Sequence, residues 1–89
     1  MVCVKRIVLD VLKPHQPNAL EFSQAIAKVG VDYHVHLIVL EIDKNTETIQ
    51  IELQGNAIDF EAIQDAITSM GGSLHSIDEV EVHNEADDQ

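Results

Sequence analysis

Two histidines stand two residues apart in an otherwise apolar run, at His34 and His36. In a β-strand such residues point to the same face, with Cβ atoms about 6.5–7 Å apart. Two imidazoles at that spacing can share a Zn²⁺, Ni²⁺ or Cu²⁺ ion if a third ligand completes the site. The alternative is that both are ordinary exposed polar side chains on an edge strand.

Asp10 is the second candidate, because it lies in the middle of an apolar stretch. A carboxylate there needs a partner, since burying an unpaired charge is costly. The partner could be His75, a cation from a neighbouring subunit, or a metal ion. A metal would be Ca²⁺ or Mg²⁺ rather than Zn²⁺ if the hard oxygen ligands nearby take part. Those ligands are Asp78, Glu79, Glu41 and Asp43.

No residues show the spacing of a known catalytic motif. Cys3 has no histidine near it in sequence. Gly71 and Gly72 follow a predicted helix, so they indicate a helix end and not a phosphate-binding loop. We therefore predict a protein without catalysis of its own.

Composition excludes several classes of partner. The 89 residues carry a formal net charge of −11 and only five Lys or Arg, which argues against nucleic acids and anionic membranes. The longest apolar run, residues 37–40, is too short to span a bilayer. A single cysteine allows no internal disulfide and favours the cytoplasm.

Apolar periodicity places six elements along the chain. Strands are predicted at 1–12, 31–43, 48–54 and 74–82, and helices at 19–29 and 60–70. Asn18 with Glu21, and Asp59, are the expected helix N-caps. We expect Pro14 to stop the first strand, because proline cannot donate to a sheet ladder. The irregular last strand predicts a bulge near Asp78.

The order β-α-β-β-α-β predicts an α+β, ferredoxin-like sandwich. Right-handed crossovers give an antiparallel sheet of order 4-1-3-2 with both helices on one face. We expect a single domain over residues 1–83 and an acidic, flexible tail over 84–89.

The sheet face opposite the helices should carry several aliphatic side chains. Covering them by a second copy of the chain would be favourable, which predicts a homo-oligomer. The alternative is that polar neighbours such as Gln50 and Glu52 shield them. The predicted interface residues are Val8, Leu12, Ile38, Leu40 and Ile42.

Four segments resemble a known family. LDVLKPH (9–15), EID (41–43), GNAIDF (55–60) and GGSLHSIDEV (71–80) are similar to the archaeal domain-of-unknown-function 211 family. The resemblance covers nearly the whole chain. It implies a small cytosolic protein of ferredoxin-like fold that forms homo-oligomers, with no established activity and no catalytic residues to carry over. The pair His34 and His36 and the acidic tail are outside the family pattern.

Two functions remain open at this point. One is a self-associating protein that holds a divalent cation at or near subunit contacts. The other is a small-molecule sensor, since amino-acid-binding regulatory domains share this order of elements. Those domains use a Gly-containing loop after the first strand, and here residues 13–17 read KPHQP without glycine.

Overall fold

Six elements follow one another in the predicted order in the computed structural model, which describes residues 1–86. They form one four-stranded antiparallel sheet in the order β2-β3-β1-β4. This is the predicted sheet seen from its other edge, so the ferredoxin-like α+β fold is confirmed. The elements are β1 Val2–Pro14, α1 Ala19–Ala27, β2 His34–Ile42, β3 Thr46–Gln54, α2 Phe60–Ser69 and β4 Ser73–Asn84.

The core lies between the helices and one face of the two central strands. Alternate residues of β1 and β3 point toward the helices, and Leu9 lies opposite Ile51 in their ladder. Together with apolar residues of both helices they are almost completely buried. The buried cluster contains Ile7, Leu9, Val11, Ile49, Ile51 and Leu53 of the sheet, and Phe22, Ile26, Ile58, Ile63 and Ile67.

Both helices begin at the predicted caps. The Asn18 side chain accepts from the Glu21 backbone N–H at 2.9 Å, and the Glu21 carboxylate accepts from the Asn18 backbone N–H at 3.2 Å. Asp59 accepts from the backbone N–H of Ala62 at 3.1 Å. No helix within residues 1–86 is long and apolar enough to cross a membrane.

The end of α2 requires glycine. Gly71 has φ of +84°, a conformation that side chains with a Cβ rarely adopt. The backbone N–H of Gly72 donates to the Ile67 carbonyl, and that of Gly71 donates to the Thr68 carbonyl. This pair of bonds is a Schellman motif, which explains both glycines as a helix end.

β1 continues through Pro14, contrary to the prediction that the strand stops before this residue. It is the last residue of the strand and lies opposite Thr46 of β3. On the other side, pairing with β4 ends at Leu12. Pro14 therefore lies beyond the β4 ladder, where its missing N–H breaks no bond to that strand.

β4 carries the predicted bulge and a second one. The ladder with β1 skips Asp78 and also skips His75. The strand runs to Asn84, and the backbone N–H of Glu85 donates to the Met1 carbonyl at 2.7 Å. The first residues of the predicted tail are therefore held against the sheet, and its remainder, residues 87–89, lies outside the described residues.

A bulge in β2 corrects the predicted position of Ile42. Pairing with β3 shifts between Val39 and Glu41, which brings Ile42 opposite Glu47. Glu47 belongs to the helix-facing set of β3, so Ile42 is on that side of the sheet and not on the open face. Ile42 is nevertheless 69% exposed.

The strands are much longer than the helices. β1 has 13 residues and spans about 40 Å, whereas α1 and α2 have 9 and 10 residues and span about 15 Å each. The molecule measures 53 × 22 × 17 Å. The sheet therefore extends beyond the helix layer, which leaves helix-facing residues such as Ile42, Val80 and Val82 largely exposed.

Candidate functional site

Asp10 and His75, two of the predicted site residues, lie next to each other on the sheet face without helices, here called the open face. Asp10 is opposite Ser76 in the β1–β4 ladder, and the bulge at His75 brings its ring toward Asp10. His75 Nδ1 is 3.3 Å from Asp10 Oδ2. The carboxylate is 29% exposed and the imidazole 78%. Of the partners considered for Asp10, His75 is thus the one that contacts it within this chain.

A cavity of about 370 Å³ opens beside this pair. It is lined by Asp10, Val11, Leu12, Thr48 and His75. The lining combines an anionic oxygen, an imidazole nitrogen and a hydroxyl with aliphatic surface. These groups suit a cation, but within residues 1–86 no three His, Cys, Asp or Glu side chains converge on one point. A metal held here would need a further ligand from outside this copy of the chain.

The other predicted metal ligands lie elsewhere. His34 and His36 share the open face of β2, as predicted, opposite Gln54 and Glu52. His36 Nδ1 is 3.6 Å from a Glu52 carboxylate oxygen. Asp78 accepts from the Ser76 hydroxyl at 2.7 Å, and it does not line the Asp10 cavity. The five predicted ligands therefore form two separate pairs, Asp10 with His75 and His34 with His36, and Asp78 joins neither.

Ion pairs cross the open face from strand to strand. Arg6 of β1 contacts Glu79 of β4 at 2.6 Å and Glu52 of β3 at 3.3 Å. These two carboxylates belong to the residues that flank Val8 in the sheet. Val8 is only 4% exposed, so the predicted exposure of Val8 is wrong. The polar residues around it cover it within one chain, which removes it as an interface residue.

A buried cation at the end of β1 was missed by the sequence reasoning. Lys13 is fully buried, and its ammonium donates to Glu47 at 3.0 Å and to the Pro14 carbonyl at 2.8 Å. The ammonium also lies 5.8 Å from the centre of the Phe22 ring, within range of a cation–π interaction. His15 Nδ1 contacts the second oxygen of Glu47 at 2.9 Å. Glu47 therefore contacts both the Lys13 ammonium and the His15 imidazole.

Period-two alternation could have located this cluster. Lys13 continues the inward series of Ile7, Leu9 and Val11, and Glu47 continues the inward series of β3. When two paired strands each end their core-facing residues in a charged side chain, and the charges are opposite, a buried ion pair is indicated. The loop after the first strand is where amino-acid-binding regulatory domains bind their ligand. In this chain His15 of that loop already contacts Glu47 and the Lys44 carbonyl.

A second cavity, of about 480 Å³, lies at the opposite end of the sheet, near Lys5, Arg6 and Asn56. Both cations already have carboxylate partners. Lys5 contacts Glu85 at 2.6 Å and donates to the Asn56 carbonyl at 2.7 Å. Lys5 lowers the pKa of Glu85, chiefly through this hydrogen bond. An anionic ligand would therefore have to compete with carboxylates of the chain itself.

Comparison with known proteins shows the family of this chain and names no activity. Residues 5–86 match domain-of-unknown-function family 211, described as "Uncharacterized ArCR". The chain is also 44% identical over 77 residues to the uncharacterized protein MJ0319 of Methanocaldococcus jannaschii, covering 86% of this chain and 79% of that protein. The chain is a member of the domain-of-unknown-function 211 family.

Proposed function

We propose that this chain acts without catalysis, as a cytoplasmic protein that assembles with copies of itself and holds a divalent cation at or near the subunit contact. The observation that carries the proposal is that aliphatic side chains are exposed at one end of the sheet, with Leu12 on the open face and Ile42 on the helix side. Leu12, Leu40 and Ile42 are 42%, 57% and 69% exposed. Leu12 and Ile42 lie at the same end of the sheet. Leu12 precedes Lys13 in β1, and Lys13 and Ile42 both lie opposite Glu47 of β3.

Hydrophobic burial alone would give a weak contact. Covering three aliphatic side chains that are already about half buried contributes on the order of 3 kcal/mol, less than the loss of translational and rotational freedom on association. β2 is an edge strand, so its outer backbone groups can pair with a strand of another copy. We therefore infer that the contact runs along β2, with Leu40 and Ile42 covered by the partner. Leu12 lies on β1, on the other side of β3 from this edge and on the open face, so only a partner that also extends over the open face would reach it.

Leu40→Glu is expected to reduce the mass of the assembly, because a carboxylate buried in an apolar contact is unfavourable. Multi-angle light scattering of the purified protein measures the mass. Val82→Glu is the matched control, since Val82 is 50% exposed on β4, the opposite edge strand of the sheet. A wild-type monomer, or equal masses for wild type and Leu40→Glu, would refute the proposed assembly.

The cation belongs at the Asp10–His75 pair, which shares its cavity with Leu12. A neighbouring copy that extends from β2 over the open face as far as β1 can supply the ligand that this copy lacks. The imidazole moves our expectation toward Zn²⁺, because Ca²⁺ and Mg²⁺ prefer oxygen ligands. Calorimetric titration of the wild-type protein with each of the three ions identifies the one that binds.

Asp10→Asn is expected to weaken cation binding by about tenfold or more, because it removes the anionic ligand. Asp65→Asn, at an exposed position on α2, is the charge-matched control and should bind as wild type does. Titrating Leu40→Glu separates the two parts of the proposal. Loss of binding in that variant places the ion at the contact, while retained binding places it within one copy. Identical titrations of wild type and Asp10→Asn exclude Asp10 as a ligand.

A further inference from the structure

His15 makes two short contacts that a neutral ring cannot satisfy. Its Nδ1 is 2.9 Å from Glu47 Oε2, and its Nε2 is 2.9 Å from the backbone carbonyl oxygen of Lys44. Both partners are acceptors only. A neutral imidazole has one N–H, whereas the imidazolium has two. The arrangement therefore fits the protonated ring.

These contacts connect three parts of the chain. His15 directly follows β1, Glu47 is the second residue of β3, and Lys44 lies in the turn between β2 and β3. The turn itself is closed by one backbone bond, in which Asp43 N–H donates to the Thr46 carbonyl at 2.8 Å. The His15 ring adds a link from this turn to the end of β1.

The charges around His15 favour its protonated form. Glu47 on β3 supplies the negative charge, and the backbone of Asp43 in the turn contributes through a hydrogen bond. Lys13 on β1 opposes it, but the Lys13 ammonium is itself engaged by Glu47 and the Pro14 carbonyl. The pKa of His15 is raised, first by the hydrogen bond with Glu47 and then by the Lys44 carbonyl. The pKa of Glu47 is lowered, first by His15 and then by Lys13.

We propose that His15 is a proton-operated latch, which holds the β2–β3 turn against the end of β1 when the ring is protonated and releases the turn when the proton leaves. Deprotonation removes one of the two N–H donors. The nitrogen that loses its proton then presents a lone pair to an acceptor oxygen, which is repulsive. The regulatory ligand of this device is the proton. The proposal does not depend on self-association.

The two pKa shifts set the pH window of the latch. Because the folded pKa of His15 lies above its ordinary value of 6.5, the link is complete below that value and is lost as the pH rises through the folded pKa. Because the folded pKa of Glu47 lies below 4.5, its part of the link is present above that value and is lost as the pH falls through the folded pKa. The latch is closed between these limits.

The test is amide hydrogen exchange of the wild-type protein, read by NMR at the backbone N–H of Asp43 and expressed as a protection factor. We expect protection to fall by about tenfold between about pH 6 and pH 9. ¹⁵N spectra of the His15 ring should show two protonated nitrogens at the lower pH. Constant protection over this range, or a neutral ring at the lower pH, would overturn the proposal without any variant being made.

Two variants test the assignment to His15. His15→Gln should lose the pH step, because its neutral amide offers a donor and an acceptor at every pH. His83→Gln is the control, since His83 lies on β4 opposite Cys3, at the other end of the sheet from His15, and contacts Glu81. It should keep the wild-type step. A step that persists in His15→Gln assigns the effect to another group and refutes the latch.

Discussion

Glu47→Ala is expected to lower the free energy of unfolding by about 3 kcal/mol, because it leaves the fully buried Lys13 ammonium without its carboxylate. The Pro14 carbonyl would be its one remaining hydrogen-bond partner among the residues described. We place the loss near the lower end of the range for broken buried pairs, since the Glu47 side chain is 15% exposed and water can reach it. Urea unfolding near neutral pH, at equal chain concentration, measures the loss.

Lys13→Met separates the charge from the packing. Methionine has a similar length, and Glu47 keeps His15 as a partner, so we expect a loss below about 1 kcal/mol. Asp65→Ala removes an exposed carboxylate from α2 and should change stability by no more than about 0.5 kcal/mol. A loss in Glu47→Ala no greater than that in Lys13→Met would show that burial of the unpaired ammonium is not what destabilises the chain.

Phe22→Ala is expected to destabilise the fold by about 4 kcal/mol, because it empties a fully buried ring position in a small core. This core has little capacity to close the gap, since Phe22 is one of only two phenylalanines and the chain has no tryptophan. The ring also faces the Lys13 ammonium at 5.8 Å. Thermal and urea unfolding of the variant measure the effect.

Phe22→Leu retains most of the apolar volume but removes the aromatic face, and we expect it to lose about 1.5 kcal/mol. Combining it with Lys13→Met forms a double-mutant cycle, in which a coupling of about 0.5–1 kcal/mol would report the cation–π contact. Leu20→Ala, at an exposed position on the same helix, is the control and should be nearly neutral. A loss in Phe22→Ala similar to that control would contradict the central place we give the ring.

Parity and capping were enough to predict most of the core and the starts of both helices, whereas α1 ends at Ala27, two residues before the predicted end. The inward series Ile7, Leu9, Val11 needed no knowledge of partners, because a strand buried on one face must repeat every two residues. Asn18 and Asp59 were readable because capping is local. The same local signals do not report where two strands stop pairing. That is why Pro14 was taken as a stop, although the β1–β4 ladder reaches only to Leu12 and Pro14 has no β4 residue opposite it.

The candidate site depended on features that sequence spacing does not fix. The bulge that brings His75 to Asp10 and the bulge that turns Ile42 to the helix side are both shifts between strands. Val8 looked exposed because its cover comes from Arg6 and two carboxylates on different strands. Lys13 was read as part of a turn, since lysine is rarely buried without a partner. Its partner is 34 residues away in sequence.

Because the sheet extends beyond the helices, the molecule has two kinds of zone, a middle and two ends, which tolerate insertions and deletions in the strands to different degrees. In the middle, a change of strand length would displace the helices from the residues they cover. At the ends the sheet is a single layer, so two more residues in each strand of a hairpin would lengthen the ribbon and preserve both faces. One extra residue would exchange the faces of everything beyond it. The Lys13–Glu47 pair marks the border between the zones, because it closes the apolar interior with charge.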